Sequence, residues 1–362
     1  MANGARTLLP HALAVLYGLA IAFASLQPFS PWIPPDPATP FWLFAPWPLR
    51  FTRYDVIANV VAYVPLGIFM ALWPRRATPL ARATLALASG LALSFALETL
   101  QMFTPPRDAS LVDLASNGAG ALLGGMAGAS LVRADRTRNA LSALRRYAFL
   151  PGKIGDFGIA LLALWLVAQV NPGIPLFAVT FDAEHAVAGA APAARDAALV
   201  LIEAAESAFQ LLGVGLFLSL LLRERRYVGG AVLLMVGAAL VAKSAAAMLM
   251  LKPSVWETWL KSGVFIGMTA GLLVLLAVVF LPRPVQIASC AISLLASLLV
   301  PVLAVDLPSP RAPLTLFNWR YGHLLNFSGL TQSVLLAWPL LAAAWLFVLA
   351  GRPGWGDPGQ KL

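Results

Sequence analysis

The chain has 362 residues, of which 60% are hydrophobic and only 11% are charged, and its mean hydropathy is +0.80. About 25% of residues are charged in a typical soluble domain, so this composition excludes a water-soluble globular protein and predicts a polytopic membrane protein. The net charge is +9. No soluble segment is long enough to form a basic nucleic-acid-binding domain, so we expect the charge to lie in cytoplasmic loops and expect no nucleic-acid partner.

Ten apolar stretches have about the length that a helix needs to cross a bilayer, roughly 20 residues. In chain order they are residues 8–27, 55–73, 83–103, 111–132, 155–171, 198–222, 228–250, 262–281, 285–305 and 332–350. The sequence therefore predicts an all-α fold, a polytopic membrane helical bundle of about ten transmembrane helices.

The first stretch also has features of a secretion signal, with Arg6 before the apolar run and Ala22-Phe23-Ala24 near its end. The apolar run continues through Leu26, and no clear mature N-terminal domain follows. We interpret the stretch as the first spanning helix. Cleavage would leave the topology of the rest unchanged, because residue 28 onward is external in either case.

The loop charges predict an orientation. With the N-terminus in the cytoplasm, 16 Lys and Arg residues fall in cytoplasmic loops and 8 in external loops, while Lys243 lies inside a helix. Positive residues favour the cytoplasmic side, so we predict that both termini are cytoplasmic. We expect a multi-pass protein of the cytoplasmic (inner) membrane, part of the cell envelope, with membrane lipids as partners. The sequence makes no prediction of oligomeric state.

The same pattern predicts four regions. Residues 1–135 form a first membrane unit, whose outer loop 28–54 is rich in Pro and Trp, and residues 136–154 form a basic cytoplasmic linker. Residues 155–352 form a second bundle of about six helices, and residues 353–362 form a cytoplasmic tail.

Metal and disulfide chemistry have little support. Cys290 is the one cysteine, so a disulfide within the chain is excluded. His11, His185 and His323 lie far apart in sequence and form no ligand-spaced pair, so a zinc site is not expected. We predict no metal and no cofactor.

Polar residues recur at helical spacing inside the apolar stretches between Asp55 and Gly128. In the predicted topology they lie near the outer ends of the second, third and fourth helices, where they can meet at one depth. Polar groups in hydrocarbon are costly, which makes these residues a candidate ligand-binding site. They are Asp55, Asn59, Glu98, Gln101, Arg107, Asp113 and Asn117.

Each of these residues also has a structural interpretation. Asp55 fits a helix N-cap, and Ser110 with Asp113 fits a capping box. The carboxamides fit interhelical hydrogen bonds. Glu98 and Arg107 need charge partners, and the most direct partner of each is the other.

Small residues follow the last of these positions. Gly120, Gly124 and Gly128 recur every four residues, and Ala121, Gly125 and Ala129 do the same. Such faces allow close approach of another helix, so we predict helix packing here.

These motifs resemble the VanZ-like family. The residues that carry the resemblance are Asp55-Val-Ile-Ala-Asn59-Val-Val-Ala-Tyr63-Val-Pro65-Leu66-Gly67, Glu98-Thr-Leu-Gln101, Arg107, and Asp113-Leu-Ala-Ser-Asn117-Gly118-Ala-Gly120. The resemblance covers residues 15–135 and implies an integral envelope protein that acts near cell-wall precursors or surface glycans, in a family associated with glycopeptide (teicoplanin) resistance. It implies no particular reaction, and the later helices lie outside it.

The second half has its own buried polar residues. Glu203, Glu206 and Gln210 share one face of the sixth helix, and Lys243 lies inside the seventh. We expect Lys243 to pair with Glu203 or Glu206. Such a pair would either hold two helices together or serve transport.

Three functions follow. The first is a non-enzymatic protein that binds or modulates a lipid-linked cell-wall or surface-glycan precursor at the outer leaflet, with arginines contacting phosphate. The second is a membrane-embedded transferase or hydrolase that uses Glu98 or Asp113 as general base. The third is an ion-coupled transporter that uses Glu203, Glu206 and Lys243. Signatures of intramembrane proteases and lipid phosphatases are missing, which favours a non-enzymatic role.

Overall fold

Helices are the only regular secondary structure in the part of the chain that the computed structural model describes. That part comprises residues 8–27, 29–44, 53–74, 76–104, 109–178, 192–257, 259–304, 317 and 322–352. These residues form eleven α-helices and no β-strand, which confirms the predicted all-α fold. The chain divides into two compact units, Met1–Arg145 and Arg146–Leu362.

The first unit contains four long helices. They are α1 (Leu9–Leu26), α2 (Arg53–Leu72), α3 (Pro79–Gln101) and α4 (Leu111–Arg133). Their ends follow local chemistry. The α3 helix begins where the Thr78 side chain accepts the amide of Ala81 at 3.2 Å, with Pro79 in the first turn. The buried guanidinium of Arg82 donates to the carbonyl of Ala71, one of the last carbonyls of α2.

Small residues hold α4 close to two neighbours at once. A side chain at Gly120 would collide with the backbone of Val60, and one at Gly124 with the backbone of Val64, both on α2. A side chain at Gly125 would meet Ala86 on α3. The predicted packing role of these small residues is confirmed, and the two repeats serve two different helices.

A further helix, α5 (Asp135–Ala148), occupies much of the stretch predicted as a basic linker, and the boundary between the two units falls within it. The linker interpretation did not anticipate a helix there, because the hydropathy of this stretch is low. Its apolar residues are instead spaced along one side, which is a helical pattern.

The second unit contains six helices. They are α6 (Gly152–Ala168), α7 (Pro192–Leu221), α8 (Val228–Met250), α9 (Ser262–Val278), α10 (Arg283–Ala304) and α11 (Gly322–Ala350). The indole N–H groups of Trp338 and Trp345 on α11 donate to the carbonyls of Leu161 and Ile154 on α6, at 2.7 and 2.9 Å. These bonds satisfy two buried donors and fix the α6–α11 contact.

The centre of this unit is α7. In its apolar window 78% of the residues are buried, compared with 17–39% for the other helices that could span a membrane. Gly263, Gly267 and Gly271 on α9 lie against α7, where side chains would collide with Val200 and Glu203, with Ala204 and with Ala208 respectively. This four-residue repeat of glycines is visible in the sequence and matches the small-residue packing motif of membrane helices, although it was not among the predicted packing faces.

Seven of the described helices are long and apolar enough to cross a membrane: α1, α2, α3, α7, α8, α10 and α11. The chain is therefore a multi-pass membrane protein with an α-helical bundle. Three of the ten predicted windows fall outside this set. The α6 and α9 helices have 17 residues each, and α4 is rich in Gly and carries Asp113 and Asn117. Spanning by these three helices stays a prediction.

Candidate functional site

The predicted polar residues of the first unit come together along α2, α3 and α4. We call Asn59, Ser94, Glu98, Asp113 and Asn117 the α2–α4 polar cluster. The carboxamide of Asn59 on α2 donates a 2.7 Å hydrogen bond to Asp113 Oδ1 on α4. This bond joins residues 54 positions apart, immediately beside the close contact between Val60 and Gly120. The tight backbone approach brings the two short side chains within bonding distance.

Glu98 connects α3 to the start of α4. Its Oε2 accepts the backbone N–H of Ser110 at 2.8 Å, and the side chain is only 4% exposed. Ser110 in turn caps α4 by accepting the amide of Val112 at 3.1 Å. In a capping box the acid three residues later, here Asp113, would accept the Ser110 amide. Glu98 from another helix takes that role, while Asp113 bonds to Asn59.

Asn117 and Ser94 form the buried side of the cluster. Asn117 Nδ2 donates to Ser94 Oγ at 2.9 Å, and both residues are buried. Asn117 Oδ1 is buried and has no hydrogen-bond partner among the residues that the structure describes. A buried carbonyl oxygen without a donor costs free energy, so this oxygen is a vacant acceptor inside the cluster.

Gln101 faces α1 rather than the centre of the cluster. The side-chain Nε2 of Gln101 donates to the backbone carbonyl of Ser25 at 2.9 Å, near the end of α1. The backbone carbonyl of Gln101 accepts the Thr104 hydroxyl at 3.2 Å. The carbonyl of Ser25 is one of the last of α1 and has no partner within that helix. Gln101 therefore acts as an interhelical tie, which was the structural interpretation of its position.

Asp55 and Arg107 are the two remaining residues of the predicted site. Asp55 lies in the first turn of α2 and is partly exposed, with interactions of its own. Arg107 lies outside the described residues, so the predicted pairing of Arg107 with Glu98 stays a prediction.

The segment before α2 packs against the same end of α3. The indole of Trp42 is 3% exposed and donates to Thr99 Oγ1 at 3.2 Å, while its ring lies 5.5 Å from that of Phe95. The amide of Ile33 donates to the carbonyl of Phe103 at 2.8 Å. Trp and Pro in the segment predicted only a surface loop. The contacts of this segment place its aromatic side chains within one turn of Glu98 and Gln101. We call residues 29–44 the aromatic cover.

The chemistry that this arrangement offers is hydrogen bonding. The cluster contains carboxylates, carboxamides and a hydroxyl, which together supply donors and acceptors suited to hydroxyl and amide groups of a ligand. Among the described residues no group of three or more His, Cys, Asp or Glu side chains is placed to hold a metal ion.

The second unit contains a separate buried polar region beside the end of α6. Residues 169–178 are irregular and almost wholly buried, and Phe177 has a φ of 56°. Non-helical backbone in such surroundings needs internal hydrogen bonds. Lys243 on α8 supplies two, because its ammonium donates to the carbonyls of Asn171 and Ile174 at 2.8 Å each.

Glu203 pairs with Lys261 and not with its predicted partner Lys243. Its Oε1 accepts from the ammonium of Lys261 at 2.7 Å, and Lys261 lies directly before α9. Sequence reasoning missed Lys261 because it falls in a loop just outside the apolar window. Glu206 is 2% exposed and has interactions of its own.

Gln210 lies one turn further along α7. Its side chain is fully buried, and within the described part of the chain neither its carbonyl oxygen nor its amide nitrogen has a hydrogen-bond partner. Gln169 Nε2 is also buried without a partner, although its Oε1 accepts the amide of Phe177. The polar region of the second unit thus keeps free hydrogen-bonding capacity.

The fold and the cluster define a multi-pass helical membrane protein whose first unit carries hydrogen-bonded polar residues near one end of three packed helices. Residues 12–132 match the VanZ/LLP1 family, so the first unit is a VanZ-like domain, which confirms the resemblance. The match includes all seven candidate residues of that unit and covers 121 of the 362 residues. No curated protein and no solved structure matches the chain.

Proposed function

We propose that the VanZ-like unit binds the polar head of a lipid-linked cell-wall or surface-glycan precursor at the outer leaflet of the cytoplasmic membrane, or modulates access to it. The observation that carries this proposal is the vacant acceptor Asn117 Oδ1 within a cluster of donors and acceptors. Sugar hydroxyls and amides are donors of the kind that such an oxygen accepts. The family association with glycopeptide resistance supports a ligand from cell-wall synthesis.

The two carboxylates bear on the enzymatic alternative. Glu98 already accepts the Ser110 amide, and Asp113 already accepts from Asn59. A general base must be available to take a proton from a substrate. Each of these bonds leaves the carboxylate further acceptor sites, so the transferase or hydrolase remains the alternative that the same experiment tests.

Glu98→Gln is the sharpest test variant. The glutamine carbonyl can still accept the Ser110 amide, so the cap of α4 is kept while the charge is removed. Ser130→Ala near the opposite end of α4 is the matched control, since the Ser130 hydroxyl bonds only its own helix at Met126. Arg107→Ala, with the exposed Arg133→Ala as its control, tests the predicted phosphate contact.

The readouts are teicoplanin sensitivity of cells and binding of a fluorescent polyprenyl-diphosphate disaccharide to the purified chain. We expect Glu98→Gln and Arg107→Ala to weaken binding and to alter sensitivity, and the two controls to leave both unchanged. The proposal fails if both test variants fold normally and bind the probe as wild type does. Turnover of the probe that Glu98→Gln abolishes would favour the enzymatic alternative.

A second candidate function, ion-coupled transport, concerns the second unit alone. The observation that favours it is the buried Gln210, which lies one turn from Glu206 and has no hydrogen-bond partner among the described residues. Polar side chains inside membrane bundles commonly mark ion or proton routes. Glu206→Gln should then abolish proton or cation flux in reconstituted vesicles, whereas Glu224→Gln, in an exposed loop, should not. Equal flux in wild type and protein-free vesicles would exclude this function.

A further inference from the structure

The α5 helix presents an apolar face that no described part of the protein covers. Leu141, Leu144 and Tyr147 recur every three residues, and their exposed fractions are 56%, 57% and 68%. Side chains three apart lie on neighbouring positions of one helical face. Large exposed apolar side chains at such spacing on a short helix mark an interaction surface.

The other side of α5 is cationic. The α5 helix contains four arginines and one aspartate. Arg146 and Ser142 are exposed on the side away from Leu144. A short helix of net positive charge, with exposed Leu and Tyr on one side and Arg146 on the other, has the composition of an interfacial membrane helix.

The C-terminal end of α5 is fixed at the end of a membrane-crossing helix. The amide of Leu150 donates to the carbonyl of Leu221 at 2.9 Å, and the amide of Arg223 donates to the carbonyl of Ala148 at 2.9 Å. Leu221 is the last residue of α7, which is long and apolar enough to span the bilayer. The end of α5 therefore lies where α7 leaves the membrane.

The length of α5 excludes a spanning role. Its 14 residues extend about 21 Å, which is less than the roughly 30 Å hydrocarbon core. A short amphipathic helix held at the membrane surface can bury its apolar side in the headgroup region while its arginines meet anionic lipids. The loop charges predict that this surface is the cytoplasmic one.

We propose that α5 is an interfacial anchor that binds anionic phospholipids of the cytoplasmic leaflet. Leu141, Leu144 and Tyr147 enter the headgroup region, and Arg145 and Arg146 contact phosphates. Charge complementarity selects the occupant, because the cytoplasmic leaflet carries anionic lipids. This role is separate from the function proposed for the VanZ-like unit, and it does not depend on that function.

The test uses the full chain in vesicles, with an environment-sensitive fluorophore attached at Leu144→Cys. Ser142→Cys on the polar side is the matched control, and the wild-type chain reports background labelling at the buried Cys290. Vesicles contain phosphatidylcholine alone or mixed with phosphatidylglycerol. Iodide quenches dyes exposed to water, and a lipid-attached quencher reports dyes within the bilayer.

We expect the dye at residue 144 to be quenched from the lipid when phosphatidylglycerol is present, and the dye at residue 142 to be quenched by iodide. Adding Arg145→Gln or Arg146→Gln should reduce the ratio of membrane-docked to undocked α5 about fivefold for each arginine. High salt should lower this ratio as well. Arg146 is exposed, so Arg146→Gln should leave folding intact, whereas Arg145 is half-buried and has an interaction of its own.

Three results would overturn the proposal. The dye at residue 144 could be as accessible to iodide in anionic vesicles as the dye at residue 142. The shielding of the dye at residue 144 from iodide could be independent of lipid charge and of the arginines, which would indicate docking by the apolar side chains without an electrostatic contribution. The same dye could also be shielded from both quenchers, which would indicate that protein covers this face.

Discussion

Asn59 donates a 2.7 Å hydrogen bond to Asp113, and this bond ties α2 to α4 across 54 residues of sequence. Both residues belong to the motif that identifies the VanZ-like unit, so their spacing in the sequence encodes a contact in the fold. Asp113 is half-buried, and a carboxylate in such surroundings that loses one of its hydrogen-bond donors destabilises the fold.

The pair predicts an asymmetry between two substitutions. Asn59→Leu removes the donor and leaves the charge of Asp113, and we expect it to reduce the free energy of unfolding by about 1–3 kcal/mol. Asp113→Asn keeps an oxygen that can accept from Asn59, so its effect should be smaller. Thermal unfolding in detergent measures both, and the double variant should cost less than the sum of the single variants. Additive effects would contradict direct coupling of the two residues.

The contact between α2 and α4 depends on a side chain being absent. We expect Gly120→Val to reduce the free energy of unfolding by about 1–3 kcal/mol or more, because the new methyl groups would collide with the backbone of Val60. Ala119→Val is the control, since Ala119 is its neighbour on the exposed side of α4. Thermal melts of the two purified variants provide the comparison. Equal stability of both variants would contradict the close approach.

The sequence predicted most of the first unit because its signals are local. Apolar windows gave the positions of α1 to α4. The four-residue spacings of Asp55 with Asn59 and of Asp113 with Asn117 correctly placed polar residues on neighbouring helices. It could not predict that Glu98 caps α4 in place of Asp113. A capping box is a sequence motif within one helix, whereas the acceptor of the Ser110 amide here belongs to a different helix.

The second unit was harder to predict for the same physical reason. The window for α11 began at residue 332, but the helix begins at Gly322, because polar residues such as Thr331 lower the local hydropathy. The hydroxyl of Thr331 accepts from the buried Asn171 at 2.7 Å. Hydropathy recognises helices that face lipid, whereas these early turns include a residue that bonds to another part of the bundle.

The aromatic cover predicts a local effect rather than a global one. Trp42→Phe keeps an aromatic ring against Phe95 but removes the donor to Thr99, so we expect a loss of about 0.5–1.5 kcal/mol. Amide hydrogen exchange should increase in residues 29–44 while α8 stays protected. Trp32→Phe is the control, because Trp32 is 48% exposed. Uniform faster exchange across the chain would contradict a local role for the cover.

Lys243 supports irregular backbone inside the second unit, and this role predicts the result of its removal. Lys243→Met keeps most of the side-chain volume but leaves the carbonyls of Asn171 and Ile174 without this donor, at about 1–3 kcal/mol for each group. We expect a clear fall in the melting temperature, with hydrogen exchange accelerated first in residues 169–178. Val241→Met on the exposed side of the same helix is the control and should melt as wild type does. A Lys243→Met variant that keeps wild-type stability but loses ion flux would instead assign the lysine to transport, because a residue needed only for structure cannot be lost without cost.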